Sequence, residues 1–234
     1  YSTLEIALRD DLDPKAARAM AVLDPVKLVI TNWDELMGAG FLDECSAPVH
    51  PHDAQRGRRT FKFGRELWIE KTDYEDNPPK GYNRLFVGNK VRMKYGHVIE
   101  CHGAIRDGEN NLVEVQARLV PDTKSGTPGA DAIKVKGVIT WVGASDALQA
   151  EVRLYDRLFA VAQPDTGDKD FLEELNPESL KTVTAYVEPS LAAAKPDEKF
   201  QFERHGYFVA DRVDHAEGKS AFNRVTGMKD SWGK

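Results

Sequence analysis

The sequence predicts a mainly β fold of closed or nearly closed antiparallel barrels, preceded by a short N-terminal helical segment. From residue 21 onward, short apolar, β-branched or aromatic runs are separated by turn residues. The clearest turn signals are Asp107-Gly108, Ser125-Gly126 and Thr127-Pro128-Gly129. Many short strands at this spacing, with little helix after residue 20, are typical of barrels.

The predicted strands lie, in chain order, at 26–30, 61–63, 66–70, 84–87, 90–95, 97–101, 112–117, 134–141, 151–155 and 200–204. The stretch 73–81 contains Asn-Pro-Pro-Lys-Gly at 77–81. Because consecutive prolines cannot donate to a sheet ladder, the stretch 73–81 is the predicted junction between two sub-domains.

Short helical segments are predicted at three places. The first has the apolar spacing i, i+4 and i+8, at Leu4, Leu8 and Leu12. Asp13 can cap a second helix that begins at Pro14 and covers residues 15–18. Asp170 can cap one further helical turn over residues 171–175.

Composition excludes several classes of protein. Apolar residues make up 41% and charged residues 30% of the 234 positions, as in ordinary globular proteins. No apolar run approaches the roughly 18 residues of a membrane span, so we expect a cytoplasmic protein with no membrane partner. The two cysteines, Cys45 and Cys101, lack the spacing that zinc needs, and His50 and His52 lie in a Pro-containing stretch without a third ligand. We therefore expect no metal site.

Catalytic motifs are absent from the sequence. It contains no Gly-rich phosphate loop ending in Gly-Lys-Ser/Thr, no Gly-x-Ser-x-Gly, no His-Glu-x-x-His and no dinucleotide fingerprint. From the residues alone, the prediction ends at an all-β module with basic strand faces and no catalytic residues.

Basic residues cluster in two short windows although the formal net charge is −6. The first window holds Arg56, Arg58, Arg59, Lys62 and Arg65, and the second holds Arg84, Lys90, Arg92 and Lys94. Either cluster can be a solvated face or a local nucleic-acid contact. In an unbroken strand, Arg92 and Lys94 share one face, while Val91 and Met93 point to the core.

Several ordered motifs carry a resemblance to a known family. They are KVKGVITWV at 134–142, EVRLYDRLF at 151–159, RAMAV at 18–22 with DPVK at 24–27, NPESL at 176–180 and FQFERHGYF at 200–208. In this order they resemble the C-terminal half of glutaminyl-tRNA synthetases and their close glutamyl relatives. The resemblance spans nearly the whole chain.

The resemblance implies an RNA-reading region of an enzyme. The family's two nucleotide-binding signatures, of the His-x-Gly-His and Lys-Met-Ser-Lys types, do not occur here. Residues 1–18 would end a helical connecting subdomain, 19–78 with 158–234 would form a proximal barrel, and 79–157 a distal barrel. The full-length protein would be a glutamine–tRNA ligase, with ATP and Mg²⁺ bound by a catalytic domain outside this segment. The implied partners are glutamine tRNA and that catalytic domain, in a monomer.

The resemblance also implies particular anticodon contacts. Arg18 and Gln201 match residues at the middle anticodon base, with Arg204 in the same pocket. Because Gln201 and Arg204 are three residues apart, an unbroken strand points them to opposite faces, and both can reach one base only if the strand bulges or turns near His205-Gly206. Arg84 matches an arginine at the third base.

The first anticodon base and its phosphate are the implied partners of Arg92, with Lys94 beside it. Lys94 and Asn83 depart from the family pattern, which often has Arg and Lys there. Two other functions are compatible with these residues: the same region of a non-bacterial-type glutamyl-tRNA synthetase, or a free-standing β-barrel that binds ribosomal RNA.

Overall fold

The computed structural model describes residues 2–164, 166 and 169–229. Two α-helices are present in these residues, α1 (Ser2–Leu12) and α2 (Trp33–Met37). Single turns of 3-10 helix lie at Ala54–Arg56, Lys71–Asp73, Phe171–Glu174 and Pro189–Ala193. No helix in these ranges is long and apolar enough to cross a membrane.

Short strands make up most of the rest. They are β1 (Ala17–Ala19), β2 (Ala21–Val22), β3 (Pro25–Ile30), β4 (Asp43–Pro48), β5 (Arg58–Phe63), β6 (Glu66–Glu70), β7 (Lys90–Met93), β8 (Val98–Arg106), β9 (Leu112–Leu119), β10 (Gly137–Ile139), β11 (Val142–Gly143), β12 (Leu148–Tyr155), β13 (Leu180–Val187), β14 (Lys199–Phe202), β15 (Gly206–Ala210) and β16 (Ser220–Gly227).

The strands form two seven-stranded sheets and one hairpin. The first sheet has the order β1-β14-β15-β16-β12-β13-β2, the second has β10-β7-β8-β9-β3-β6-β11, and β4 pairs with β5. Each large sheet forms a nearly closed or half barrel, which confirms the mainly β prediction and the short N-terminal helix. Each large sheet also contains two parallel pairs of strands. In the first sheet these are β1 with β14 and β12 with β16. In the second sheet they are β7 with β10 and β3 with β9.

The sheets group the strands differently from the predicted division of the chain. β3 and β6, within 19–78, pair in the sheet of β7 to β10. β12, within 79–157, pairs with β13 and β16 in the other sheet. The boundaries at 79 and 157 stay a prediction, which this pairing does not favour. Residues 1, 165, 167, 168 and 230–234 of the predicted segments lie outside the described residues.

Two cores flank one extended segment. Ala19 and Ala21 belong to the core of the first sheet, whereas Met20 and Val22 belong to the core of the second. Alternate residues of a strand point to opposite sides. The segment therefore serves both cores, and its small and large residues alternate accordingly.

The N-terminal region corrects one prediction. Residues 15–18 do not form a capped helix, because the chain turns after Leu12 and Arg18 lies in β1, paired in parallel with β14. Residues 84–87, predicted as a strand, form only an isolated bridge from Leu85 to Tyr74. Asp170 does cap the turn at Phe171–Glu174, where its side chain accepts a hydrogen bond from the Leu172 amide at 2.9 Å.

Aromatic side chains pack in the core of the first sheet. Phe200 and Phe202 are buried, and the Phe202 ring lies 4.3 Å from Phe208 and 5.2 Å from Phe222, between ring centroids. Arg153 pairs with Glu151 two residues before it in β12.

Replacing Phe202 by Ala should lower the free energy of unfolding by about 3–5 kcal/mol, because it removes a fully buried ring from two aromatic contacts. Phe171→Ala is the matched control, since that ring is 46% exposed and should change stability by about 0.5 kcal/mol or less. Urea unfolding of both variants measures the difference. Equal losses would contradict the assigned core.

Candidate nucleic-acid interface

Arg18 and Gln201 face each other on paired strands. β1 and β14 place them as register partners. Arg18 Nη1 donates to the carbonyls of Asp13 at 2.9 Å and Ala16 at 2.8 Å, and its Nη2 lies 2.5 Å from Asp13 Oδ1. Gln201 Nε2 donates to Tyr207 Oη at 2.9 Å, and Tyr207 in turn donates to Asp13 Oδ1 at 2.8 Å. The Asp13 carboxylate thus holds Arg18 directly and Gln201 through Tyr207, and these are two of the predicted base-reading side chains.

The charges of this group are fixed by their neighbours. The hydrogen bond from Tyr207, then the charge of Arg18, lowers the pKa of Asp13 against the effect of burial. Burial and the bond to Asp13 raise the pKa of Tyr207. Both shifts favour an ionised carboxylate and a neutral phenol that donates to it. A small cavity of about 160 Å³ reaches Arg18 between Val49 and Phe200.

Arg204 and Arg84 share a second carboxylate, that of the fully buried Asp73. Arg204 holds both of its oxygens, at 2.8 and 2.7 Å, and Arg84 Nε lies 3.3 Å from Oδ1. The hydrogen bond to Asp73 raises the pKa of Arg204 against its partial burial. Arg84 Nη1 also donates to the carbonyl of Thr72 at 3.2 Å. The Asp73 carboxylate therefore holds the guanidinium groups of Arg84 and Arg204 next to each other.

The turn predicted near Gly206 is present. Arg204 has φ +74° and Gly206 has φ +148°. A Cβ at Gly206 would lie 2.3 Å from the Thr226 carbonyl oxygen, so only glycine fits. The turn directs Arg204 to Asp73, whereas Gln201 bonds to Tyr207. The two side chains thus have different partners, and their shared pocket stays a prediction.

Lys94 joins the Arg204 group through Glu203. Lys94 Nζ pairs with the Glu203 carboxylate, which also contacts Arg59 and accepts from Tyr95 Oη at 3.0 Å. Burial, followed by the charge of Glu203, raises the pKa of Tyr95 to about 12, so it remains a neutral donor. Lys94 is thus paired with Glu203, and the next residue in the chain, Arg204, shares Asp73 with Arg84. We call Lys94, Glu203, Arg204, Asp73 and Arg84 the row of charges.

Arg92 has a different environment. Its guanidinium donates to the carbonyls of Thr123 at 2.6 Å, Ala130 at 2.7 Å and Gly96 at 3.1 Å. These contacts tie the loop after β9 to the β7–β8 turn. Val91 and Met93 are buried, as alternation predicted. The contact of Arg92 with a nucleotide stays a prediction.

The sequence prediction missed a buried charge cluster that lies behind this row. Arg59 is flanked by Glu188, with 2.7 Å between Nε and Oε1, and by Glu203. Burial alone would lower the pKa of Arg59, but the two carboxylates outweigh it and raise the pKa. Glu188 also accepts from the Met20 amide at 2.7 Å and from Ser190 at 2.6 Å.

One signal for Arg59 was present in the sequence. Arg59, Phe61 and Phe63 alternate along β5 and share its buried face. An arginine on an apolar strand face predicts a buried acidic partner, because an unpaired buried charge is costly. Within the described ranges, no three His, Cys, Asp or Glu side chains are grouped to hold a metal ion.

Two family models match this chain, and together they cover about three quarters of it. Both are described as "tRNA synthetases class I (E and Q), anti-codon binding domain", and they match residues 16–120 and 138–211. E and Q denote glutamate and glutamine. The class is therefore that of RNA-reading domains from aminoacyl-tRNA synthetases. The chain belongs to the family of class I glutamyl- and glutaminyl-tRNA synthetase anticodon-binding domains.

The curated relatives named below are glutamine–tRNA ligases, which are one of the two groups in that family. The chain is 62% identical over 233 residues to the glutamine–tRNA ligase of Ralstonia nicotianae. The matched region covers 100% of this chain and 40% of that ligase. Identity to the glutamine–tRNA ligase of Cupriavidus metallidurans is 62%, over 39% of its length. For the Bordetella pertussis glutamine–tRNA ligase it is 57%, also over 39%. The chain thus spans about two fifths of these relatives.

Replacing Arg59 by Met should lower the free energy of unfolding by about 3–5 kcal/mol, because it leaves two buried carboxylates without a counter-charge. Arg58→Met, on the exposed side of the same strand, should change it by about 0.5 kcal/mol or less. Denaturant unfolding at neutral pH compares the two variants. Equal stability of the two would show that the cluster does not hold the fold.

Proposed function

We propose that this chain binds the anticodon loop of glutamine tRNA as part of a glutamine–tRNA ligase whose catalytic domain lies in another segment. The main support is the row of Lys94, Arg204 and Arg84, with Arg18 and Gln201 on paired strands, in a chain of this family. The similarity to glutamine–tRNA ligases over the whole chain favours glutamine tRNA over glutamate tRNA.

The side-chain chemistry supports recognition of unstacked bases. Bases in a loop expose their Watson-Crick edges, which a duplex would hide. An arginine fork fixes its donors in one plane, and a glutamine offers both a donor and an acceptor. Asp13 and Asp73 orient the guanidinium groups before RNA arrives. The free energy cost of ordering those side chains on binding is thereby reduced.

Arg84 is the residue best placed to read a base. Its Nε and Nη1 have protein partners, whereas no hydrogen bond within the described part of the chain uses Nη2. Its side chain is 43% exposed, while Asp73 is fully buried. The carboxylate therefore anchors one edge of the fork, and the other edge points to solvent.

The wider assignment rests on the same relatives. In this proposal ATP and Mg²⁺ act at the catalytic domain, which is a partner within the same polypeptide. The ligase works in the cytoplasm as a monomer, and the two barrels divide the chain into proximal and distal units. The anticodon-reading residues are Arg18, Arg84, Arg92, Lys94, Gln201 and Arg204.

Replacing Arg84 by Ala should weaken binding of the glutamine anticodon stem-loop by about 1–3 kcal/mol and relax preference at one anticodon base. Fluorescence anisotropy with loops altered singly at each anticodon base measures both effects. Arg106→Ala is the matched control, because Arg106 in β8 also pairs with a carboxylate, that of Asp76, and is not among the proposed anticodon contacts. An equal loss for every loop would contradict base reading.

Wild-type preference tests the proposed substrate directly. The chain should bind the glutamine anticodon stem-loop more tightly than one carrying a glutamate anticodon, at the same salt concentration. Preference for the glutamate loop would instead assign the chain to a glutamyl-tRNA synthetase. Equal binding of both loops and of ribosomal RNA fragments would reject anticodon recognition.

A further inference from the structure

A polar groove adjoins Arg84, outside the residues assigned above. Two neighbouring hollows of about 420 and 440 Å³ share Tyr82, Asn83, Lys136 and Gly137. One wall is the turn at 81–90, and the other is the segment 134–138, which leads into β10. We call this feature the basic groove.

The floor of the basic groove depends on Gly137. A Cβ there would lie 1.8 Å from the carbonyl oxygen of Asn83, so the turn packs directly against the backbone of β10. On the other wall, the Tyr82 hydroxyl donates to Thr72 at 3.1 Å, and the Arg84 guanidinium lies 5.9 Å from the Tyr82 ring. The groove is therefore a built concavity continuous with the proposed base reader.

The charges in the basic groove are largely uncompensated. Lys90, Lys134 and Lys136 line it. Lys90 pairs with Glu100 at 3.1 Å, but within the described ranges no carboxylate pairs with Lys134 or Lys136, which are both exposed. Clustered cations without acidic neighbours raise the local potential and attract an anion.

Strand pairing explains how the lysines converge. β7 and β10 run in parallel with Val91 opposite Gly137, so Lys90 and Lys136 precede partner positions. Val91 and Gly137 are buried, and alternation directs the lysines to the outer side. Lys134 and Lys136 lie in the segment just before β10, and both side chains are exposed. Like charges that share one groove repel each other, and an anion between them would relieve that repulsion.

We propose that the basic groove binds the sugar-phosphate backbone of the RNA strand next to the base read by Arg84. Lys134 and Lys136 are the phosphate contacts, and they position the strand without reading sequence. RNA is the occupant that fits, because the groove is polar, open and continuous with Arg84. This inference rests on the proposed function, and it adds a subsite for the backbone of the same RNA.

The test is the double variant Lys134→Gln/Lys136→Gln, with anisotropy measured on the glutamine anticodon stem-loop over a range of salt. Each lost phosphate contact should make the slope of log affinity against log salt shallower by about 0.7, so we expect about 1.4 for two. Affinity near 0.15 M salt should fall on the order of tenfold. The ratio between matched and third-base-altered loops should stay unchanged.

Two control variants make the result specific. Lys181→Gln/Lys219→Gln removes two exposed lysines, one in β13 and one just before β16 of the other large sheet, and should leave affinity and slope unchanged. Lys134→Arg/Lys136→Arg keeps both charges and should retain at least most of the affinity.

Wild-type affinity and slope in the double Gln variant would overturn the basic groove as a phosphate site. Poly-glutamate binding to the wild-type chain as tightly as the stem-loop would also overturn it, in favour of an acidic peptide. A wild-type chain that shows no anticodon preference would instead refute the proposed function. The effect of the Lys134→Gln/Lys136→Gln variant on the salt slope would still test the phosphate contacts, separately from anticodon preference.

Discussion

The contact of Arg59 with Glu188 and Glu203 is the constraint on which the candidate interface depends. Arg59 comes from the β4–β5 hairpin, whose ring neighbours lie in the core of the second sheet, while the two acids follow β13 and β14 of the first. Buried charges tolerate little displacement, because each must keep its partner. The cluster therefore fixes the two barrels relative to each other. Because Glu203 immediately precedes Arg204, the cluster also fixes the position of Arg204 in the row of charges.

The segment 19–22 imposes the same arrangement by packing. Its alternate residues enter two different cores, so a register shift of one residue would exchange Ala for Met or Val in both at once. Glu188 bonds to the Met20 amide within that segment. Charge and packing thus constrain the same junction. Arg18 lies in β1 immediately before the segment 19–22, and the strand register of this junction places it opposite Gln201.

Local patterns predicted the fold class and several strands, and they failed where pairing is long-range. Asp13 and Pro14 satisfy the rules for a helix start, yet Arg18 joins a strand that pairs with residues about 180 positions away, which no local rule detects. The resemblance supplied the candidate base-reading residues, but not their acidic partners Asp13 and Asp73. The contact of Arg204 with Asp73 joins segments 131 residues apart, and the contact of Arg18 with Asp13 forms in the turn that replaces the predicted helix. For these reasons the sequence alone did not reveal them.

The acidic partners bear on how a chain with net charge −6 would present the proposed RNA surface. Arg18, Arg84 and Arg204 are neutralised and oriented by carboxylates, so they add little to long-range attraction. Asp73 is fully buried and cannot turn into solvent, so Arg204 stays paired, and in the proposed function a base would approach the open edge of Arg84. Attraction then has to come from cations without acidic partners. Recognition and attraction are thus assigned to different side chains, and the two can be altered independently.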